Sequence, residues 1–594
     1  MSGELIITCR CYVSAPSYAG MVELVDMRDL GSRAITGVRV RAPLPVPYYN
    51  LGGDKMLWEK RGQEVYNDVA TAILSISGQT EQELLSPTPC PSESVVGIPE
   101  AAKAIFRSRV ENRHAYIIGD YDADGLTSTA ILSRLFTFLH IEHTTIIPRR
   151  LSDGYGVSEA HIGSIKNSLI VTVDNGIAAG AVLNAAKLER GNTVVVIDHH
   201  LPGDDIPQYA DAIVDPHLEP ARNGFTEYCG AGLAYKLAAY MLKDIKPPAH
   251  LHNNLVLLAG IGTVADSMPL IGDNRCMVRE ALRIANDPLN TISPGLSCLL
   301  EVCGGYGAIT ASTIGYKLAP LLNAPGRMYD AGGTSALKIL VCDDPEQCRA
   351  YVSKMVAINQ KRRETVEHYI DEACRVAQEQ ASPIVVYIPN LQEGLLGVVA
   401  GRLLDTFCST AVVLSNSRYG DAVKGSVRTA PGVHAKEMLD SVRYLLMTYG
   451  GHEGAAGLML REKNVAEFTD RVKDYSAGTS VGRRLLYDVE ISGSEVASSM
   501  AALNKFEPLG HGVYSPMCVV RDVRVQDILY IGTDKSTVKL VCDGFSVIGF
   551  GKADLYRKYG EPMALDVLGT ISENHFRGNV TVQIVAEDFR PCIF

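Results

Sequence analysis

The stretch Gly119-Asp120-Tyr121-Asp122-Ala123-Asp124-Gly125 decides how the rest of the chain is read. It follows a short apolar run, Ala115-Tyr116-Ile117-Ile118, and precedes a helix-like one from Leu126 to Leu139. In extended backbone, alternate side chains point to the same side. Asp120, Asp122 and, by the same alternation, Asp124 therefore converge at the end of a strand. Carboxylates packed this closely repel unless a cation or a proton lies between them. Oxygen donors at this density suit manganese or magnesium. A competing reading makes the stretch a polar loop, with Asp124 or Thr127 capping the next helix.

The flanking sequence favours a site. Strand-like runs Ala115–Ile118, Thr144–Ile147, Leu169–Val173 and Thr193–Ile197 alternate with helical stretches, which argues for a parallel sheet covered on both faces. Ligands of such sheets gather beyond the carboxyl ends of the strands. Three of the four runs end in metal-ligating residue types: Asp120 and Asp122 after the first, Asp174 after the third, and Asp198-His199-His200 after the fourth. A later apolar, helix-like segment ends in Gly262-Thr263-Val264-Ala265-Asp266. One such acid is uninformative, whereas acids and imidazoles at several strand ends describe one centre.

At 594 residues the chain is too long for a single core, and three or four domains are expected. Its 46% apolar and 21% charged content fits a globular protein. The absence of a membrane-length apolar run or a leader-like N-terminus leads us to expect a cytoplasmic protein without membrane contact. Fourteen cysteines without a CxxC pair read as free thiols in a reducing compartment rather than as a zinc site. The net charge of −11 argues against coating nucleic acid by bulk attraction. An enzyme that grips a few phosphates in a local basic cleft is still compatible with it.

Five segments are expected. Residues 1–57 form an appendage of unassigned role, with β-like alternation at Glu4–Val13 and Gly37–Val40. Residues 58–345 form an α/β domain whose lead-in, Trp58 to Arg113, reads as helical around a Ser86–Pro91 loop. Residues 346–381 read as one long helix, from the spacing of Val352, Met355, Ile358, Val366, Ile370, Ala373 and Val376. Residues 382–484 form a second α/β unit with strands at Ile384–Ile388 and Ala411–Leu414. Residues 485–594 carry β runs at Met517–Val525, Thr537–Cys542, Val547–Phe550 and Val580–Val585, expected as a small antiparallel barrel.

Taken together and in order, GDYDADG from Gly119, VTVDNGI from Val171, VIDHHLPGD from Val196 and GTVAD from Gly262 resemble the four metal-site motifs of the DHH family of phosphoesterases. PRRLSDGYG from Pro148, NAPGR from Asn323, GSVRT from Gly425, GGHEGAAG from Gly450 and FEPLGHG from Phe506 resemble elements of the RecJ family within it. The resemblance runs from about Trp58 to the end. It implies a DHH parallel-sheet domain, a DHH-associated domain after the connecting helix, and a C-terminal OB-fold. It also implies a single-stranded-DNA-specific 5′-to-3′ exonuclease of recombination and repair, acting as a monomer with two divalent cations, manganese before magnesium. A single-strand-binding protein or a helicase would be the partner.

By the same resemblance Asp120, Asp122, Asp174, His199 and Asp266 are metal ligands, with Asp174 as the bridge. His200 faces the substrate phosphate and Asp124 supports the centre. Arg150, Ser426, Arg428 and His452 stand at phosphate-holding positions, joined by Asn323 and Arg327. The chain departs from the family pattern at Ile117-Ile118, where a histidine ligand often precedes the first aspartate. It departs again at Leu321 after Pro320, and near Glu393 to Gly397, where a histidine is common. Tyr155 is read as either a base-stacking or a packing residue. Two alternatives stay open at this point. One is a DHH enzyme acting on short oligonucleotides or cyclic dinucleotides, which the segment after Tyr487 disfavours. The other is a non-catalytic Cdc45-like scaffold, which the retained acids disfavour.

Overall fold

The computed structural model describes residues 57–594 except 63–65, 151, 154–155, 379, 381, 418–419, 431, 476–483, 533, 577–578 and 593–594. The β-like alternations expected before residue 57, and Tyr155, lie outside the described residues.

The first sheet has five parallel strands in the spatial order His143–Ile146, Ala115–Ile118, Leu169–Val173, Thr193–Ile197, Ala212–Val214. Two central strands, Leu169–Val173 and Thr193–Ile197, are buried along their whole length, so they read as unbroken apolar runs rather than as alternation. Chain order reverses between Ala115–Ile118 and Leu169–Val173, because the first crossover goes one way and the next goes the other. Such a reversal opens a crevice at the carboxyl edge, where doubly wound sheets bind ligands. The short Ala212–Val214 strand was not expected from the sequence.

The Ala123–Phe138 helix leaves the first strand and is buried on nearly every side. It tolerates hydroxyls there because they bond back to their own helix: Thr127 Oγ1 to Ala123 O, and Ser128 Oγ and Thr129 Oγ1 to Gly125 O. The apolar Ala249–Ala265 helix and the Gly230–Met241 helix complete this core.

The connecting helix runs from Pro345 to Ala377, one residue earlier at its start than the expected 346–381 segment. Asp344 caps it by accepting from Glu346 and Gln347 N–H, and Pro345 takes the first helical position, where no N–H is needed. At 1.5 Å per residue it spans about 50 Å. The second unit is a mixed sheet in the order Leu446–Gly451, Ala455–Arg461, Ala422–Arg428, Ala411–Asn416, Ile384–Tyr387, only the last pair being parallel.

The C-terminal strands Cys518–Ile531, Thr537–Cys542, Ser546–Gly549, Asn579–Pro591 and Ala564–Phe576 close into a barrel through the pairing of the first with the last. The expectation of a wholly antiparallel barrel is corrected here. Ser546–Ile548 pairs parallel with Gln583–Val585, since a closed ring of five strands cannot alternate direction all the way round. The lead-in is corrected as well. Leu57–Lys60 is a strand, not helix, pairing parallel with Arg484–Tyr487, and Trp58 donates to Asp588 Oδ2 at 2.8 Å. Val69, Ala72, Ile73 and Leu84 then share the barrel's core instead of the parallel sheet's. Nothing local marks the strand, because Trp58 packs against a cluster of Tyr487, Met517, Val519 and Leu568 more than four hundred residues away. None of the described helices is long and apolar enough to cross a membrane, and the twelve described cysteines are free.

Candidate metal centre

The crevice at the reversal point holds the acids. Asp120 lies two residues beyond the Ala115–Ile118 strand. Asp122 caps the Ala123–Phe138 helix through Gly125 N–H at 3.0 Å, so the capping role read for Asp124 or Thr127 belongs to Asp122. Period-two alternation therefore reaches only Asp120 and Asp122, since Asp124 already lies in the first helical turn. Asp124 instead faces the N-terminus of the Gly230–Met241 helix, accepting from Gly230 N–H at 2.7 Å and Ala231 N–H at 3.0 Å. A Cβ at Gly230 would stand 2.6 Å from Asp174 Cβ, and one at Gly262 2.5 Å from Asp124 Oδ1. Both glycines are required by close approach. The Gly230-Ala231 amides are functional groups the motif reading missed, and the Cys229-Gly230-Ala231-Gly232 run ahead of an apolar helix was the available signal.

Asp174 ends the third strand at φ 60°, in left-handed backbone, which turns its carboxylate back into the crevice. Asn175 holds that turn by donating to Val173 O and Ile118 O. His199 Nε2 lies 3.0 Å from Asp174 Oδ1, 3.7 Å from Asp266 Oδ2 and 3.9 Å from Asp124 Oδ2. Asp266 reaches the same point from the C-terminal cap of the Ala249–Ala265 helix. Ligand atoms of Asp120, Asp122 and Asp174 fall within 4.8 Å of one another; so do those of Asp124, His199 and Asp266, and those of Asp174, His199 and His200. All five expected metal ligands, together with Asp124 and His200, are thus brought into one crevice. Asp198 organises the histidines. It accepts from His199 N–H, His200 N–H and His200 Nδ1 through one oxygen, and from Ile177 N–H through the other.

The electrostatics follow from crowding. Burial, reinforced by Asp122, pushes the Asp120 carboxyl up to about 8. Burial and then Asp124 raise Asp122 and carry Asp174 well above the usual carboxylate range. Burial with Asp124 and Asp122 takes Asp266 to about 8. Burial lowers His199, favouring the neutral imidazole that a metal ligand needs. Burial also pulls His200 down, but its hydrogen bond to Asp198 and that charge outweigh it and bring His200 to about 9. Asp120 Oδ1 is buried without a hydrogen-bond partner. A buried, unpartnered carboxylate oxygen among three more acids and a neutral imidazole is a donor set suited to a hard divalent cation.

A group of arginines lies within electrostatic reach of the acids. The Arg150 guanidinium lies 4.8 Å from the centre of the Tyr121 ring. Burial lowers Arg327 to about 10, with Arg150, Arg362 and Arg428 adding to the effect and Asp122 opposing it. Arg150, Arg327, Arg362 and Arg428 make no salt bridge among the described residues. Arg362, on the connecting helix and bonded to neutral Asn359 Oδ1 at 3.0 Å, is a member the sequence reading missed. The Asn323 side-chain oxygen is buried without a partner.

Sheet register gathers the second unit's share. Ser426 pairs with Gly457 and Gly457 with Gly450, while Arg428 pairs with Ala455, whose carbonyl accepts from His452 N–H. Arg428 Nη1 also donates to Ser426 Oγ at 3.1 Å. A Cβ at Gly450 or Gly457 would meet open space, so bare backbone lies beside Ser426. Arg327 Nη1 approaches Gly394 O at 3.4 Å, joining the two α/β units at the cleft.

Comparison with known proteins agrees with this layout. Residues 114–263 match the DHH family N-terminal domain, 380–478 the DHHA1 domain and 487–588 the RecJ OB domain. The chain is 33% identical to a single-stranded-DNA-specific exonuclease RecJ of Dickeya dadantii, covering 83% of this chain and 90% of that protein. It is 32% identical to the RecJ of Bacillus subtilis over 83% of this chain, and spans 63% of that longer relative. Thermus thermophilus RecJ solved with Mn2+ superposes at a TM-score of 0.73 and 28% identity, over 88% of this chain and 76% of that one. With its parallel-sheet, DHHA1 and OB units in that sequence, and its identity to whole RecJ proteins, the chain belongs to the RecJ family.

Proposed function

We propose that this chain is a metal-dependent exodeoxyribonuclease that degrades single-stranded DNA from the 5′ end to mononucleotides, in recombination and repair. The observation that carries the reading is the meeting of Asp174, Asp124 and Asp266 around His199 Nε2, near arginines that make no salt bridge among the described residues. Asp120, Asp122, Asp174, His199 and Asp266 would hold two divalent cations, manganese before magnesium, with Asp174 shared between them. Once bound, the ions would supply an attacking hydroxide at neutral pH and neutralise charge at phosphorus.

The protein's own residues do the rest. Asp198 holds the His200 imidazole through Nδ1 and the His199 backbone through its N–H, so that His200, whose side chain is 43% exposed, presents a proton donor to the phosphate. Arg150 and Arg327 approach from the first unit, and Ser426, Arg428 and His452 from the second. A guanidinium fork grips a phosphate at two oxygens, and bare backbone at Gly450 and Gly457 lets the strand come close. Asn323 would turn its amide N–H2 toward the same phosphates.

On this reading residues 58–345 carry the chemistry, and the 346–381 helix sets the width of the gap. Residues 382–484 hold phosphates and 485–594 track the incoming strand. A gap too narrow for duplex explains single-strand preference. Monomeric action, and a single-strand-binding protein or helicase as partner, belong to the same proposal. The barrel speaks against a short-oligonucleotide enzyme, because such a substrate would never reach it.

The test is digestion of 5′- and 3′-labelled single strands with manganese, magnesium and EDTA arms. Mononucleotides released from the 5′ end with manganese support the reading; equal attack at both ends sinks it. Asp174→Ala should abolish cleavage while single-strand binding stays measurable, and cleavage at the parental rate would remove Asp174 as the bridge.

A further inference from the structure

Arg275 is the largest fully buried side chain among the described residues, at 0% exposure. It carries a charge that ordinarily requires an acid partner when buried. Instead, each of its five N–H donors meets a backbone carbonyl. Nε donates to Leu84 O at 2.6 Å, Nη1 to Pro508 O at 2.9 Å and Leu270 O at 3.4 Å, and Nη2 to Phe506 O at 2.8 Å and Glu507 O at 3.2 Å. One guanidinium thereby joins a lead-in helix, the loop before its own helix, and the segment leading into the barrel.

That loop begins at Asp266. The chain leaves the Ala249–Ala265 helix with Ser267 at φ 57°, and Met268 N–H returns to Thr263 O at 3.0 Å. Pro269 O then accepts from Asn274 Nδ2 at 3.1 Å, and Leu270 N–H donates to His511 O at 2.7 Å. A Cβ at Gly510 would stand 2.7 Å from the Leu270 side chain, and one at Gly512 3.1 Å from Pro269. The four residues after Asp266 are therefore pinned on both flanks, and the outer flank is Phe506–Gly512.

We infer that Arg275 is a positioning residue for Asp266, and that the segment leading into the barrel is part of the support of the metal centre. The inference rests on the reading of Asp266 as a metal ligand. Its carboxylate has to reach a crevice that its own helix only borders, so the direction in which the chain exits that helix sets where the oxygens fall. Groups that orient a metal ligand from behind are worth about 10- to 100-fold in metal affinity.

The experiment is Mn2+ binding to the full chain by isothermal titration calorimetry, at a temperature where circular dichroism shows every variant folded. Arg275→Met and Arg275→Lys should each weaken Mn2+ binding about 10-fold or more, because neither side chain can serve five carbonyls. Gly510→Val, which pushes on Leu270 and leaves the guanidinium in place, keeps the test informative should the Arg275 variants fail to fold. It should weaken binding in the same direction. Val538→Ala, a cavity elsewhere in the barrel core that touches neither the Arg275 donors nor Gly510, controls for general loss of stability and should bind as the parent does. Parental affinity in folded Arg275 and Gly510 variants overturns the inference. Loss of affinity in Val538→Ala equal to theirs overturns it as well. Failure of the parent chain to bind Mn2+ would instead overturn the metal-centre reading on which it rests.

Discussion

Replacing Asp120 by asparagine should make the metal-free protein more stable while destroying its response to manganese. Asp120 is 2% exposed, and burial with the neighbouring Asp122 raises its carboxyl from 3.8 to about 8. The sign follows from linkage. The folded state keeps a proton that the unfolded chain has already released, so stability falls as pH rises from 3.8 to about 8, and the penalty is absent below that window. At pH 7 the separation from the unfolded value is about 3 pH units, which at about 1.4 kcal/mol per unit amounts to about 4 kcal/mol. Asparagine has nearly the same shape and no such penalty, so the stabilisation is bounded by about that figure. In EDTA, Asp120→Asn should melt several degrees higher than the parent at pH 7, with the gap closing toward pH 4. With Mn2+ the order should reverse, because a bound cation stabilises only the chain that still has its ligand. A variant that melts lower than the parent in EDTA, or gains as much from Mn2+, would refute the argument that these acids are crowded for a cation.

Three further outcomes are expected. Gly262→Ala drives a methyl to within 2.5 Å of Asp124 Oδ1 and should destabilise the fold by about 1–3 kcal/mol, seen in urea unfolding, with a larger proportional loss of cleavage. Arg428→Gln should weaken single-strand binding equally for all sequences and reduce the salt-dependence slope by about 0.7, the share of one phosphate contact, in fluorescence anisotropy. Removal of divalent ions by EDTA should stop cleavage and readdition of Mn2+ restore it, with single-strand binding by the arginine cleft persisting throughout.

Period-two and βα patterning placed the strands of the parallel sheet and the acids at their ends, because strand-end geometry is local. Asp120 and Asp122 were readable for that reason. The route of Asp124 was not, since it depends on the Gly230 and Ala231 amides more than a hundred residues away. Arg362 looked like one more charged position on an amphipathic helix, and only its fold neighbours make it part of a basic cleft. Leu57–Lys60 escaped because a parallel pairing with Arg484–Tyr487 leaves no trace in the four residues themselves. The parallel pair in the barrel is a property of ring closure, not of any segment.

The sharing of one core between Val69, Ala72, Ile73 and Leu84 and the C-terminal strands sets a timetable for biosynthesis. More than four hundred residues separate the two contributions, which at elongation rates of about 5–20 residues per second is roughly 20–80 s. Throughout that interval the early helices emerge with their greasy faces bare, while the sheet domain between them is free to fold. Slowed translation, or a ribosome-associated holdase, should therefore act on yield through this first hundred residues. A barrel expressed from residue 485 alone should be sticky in solution until a peptide covering residues 66–86 is supplied in trans.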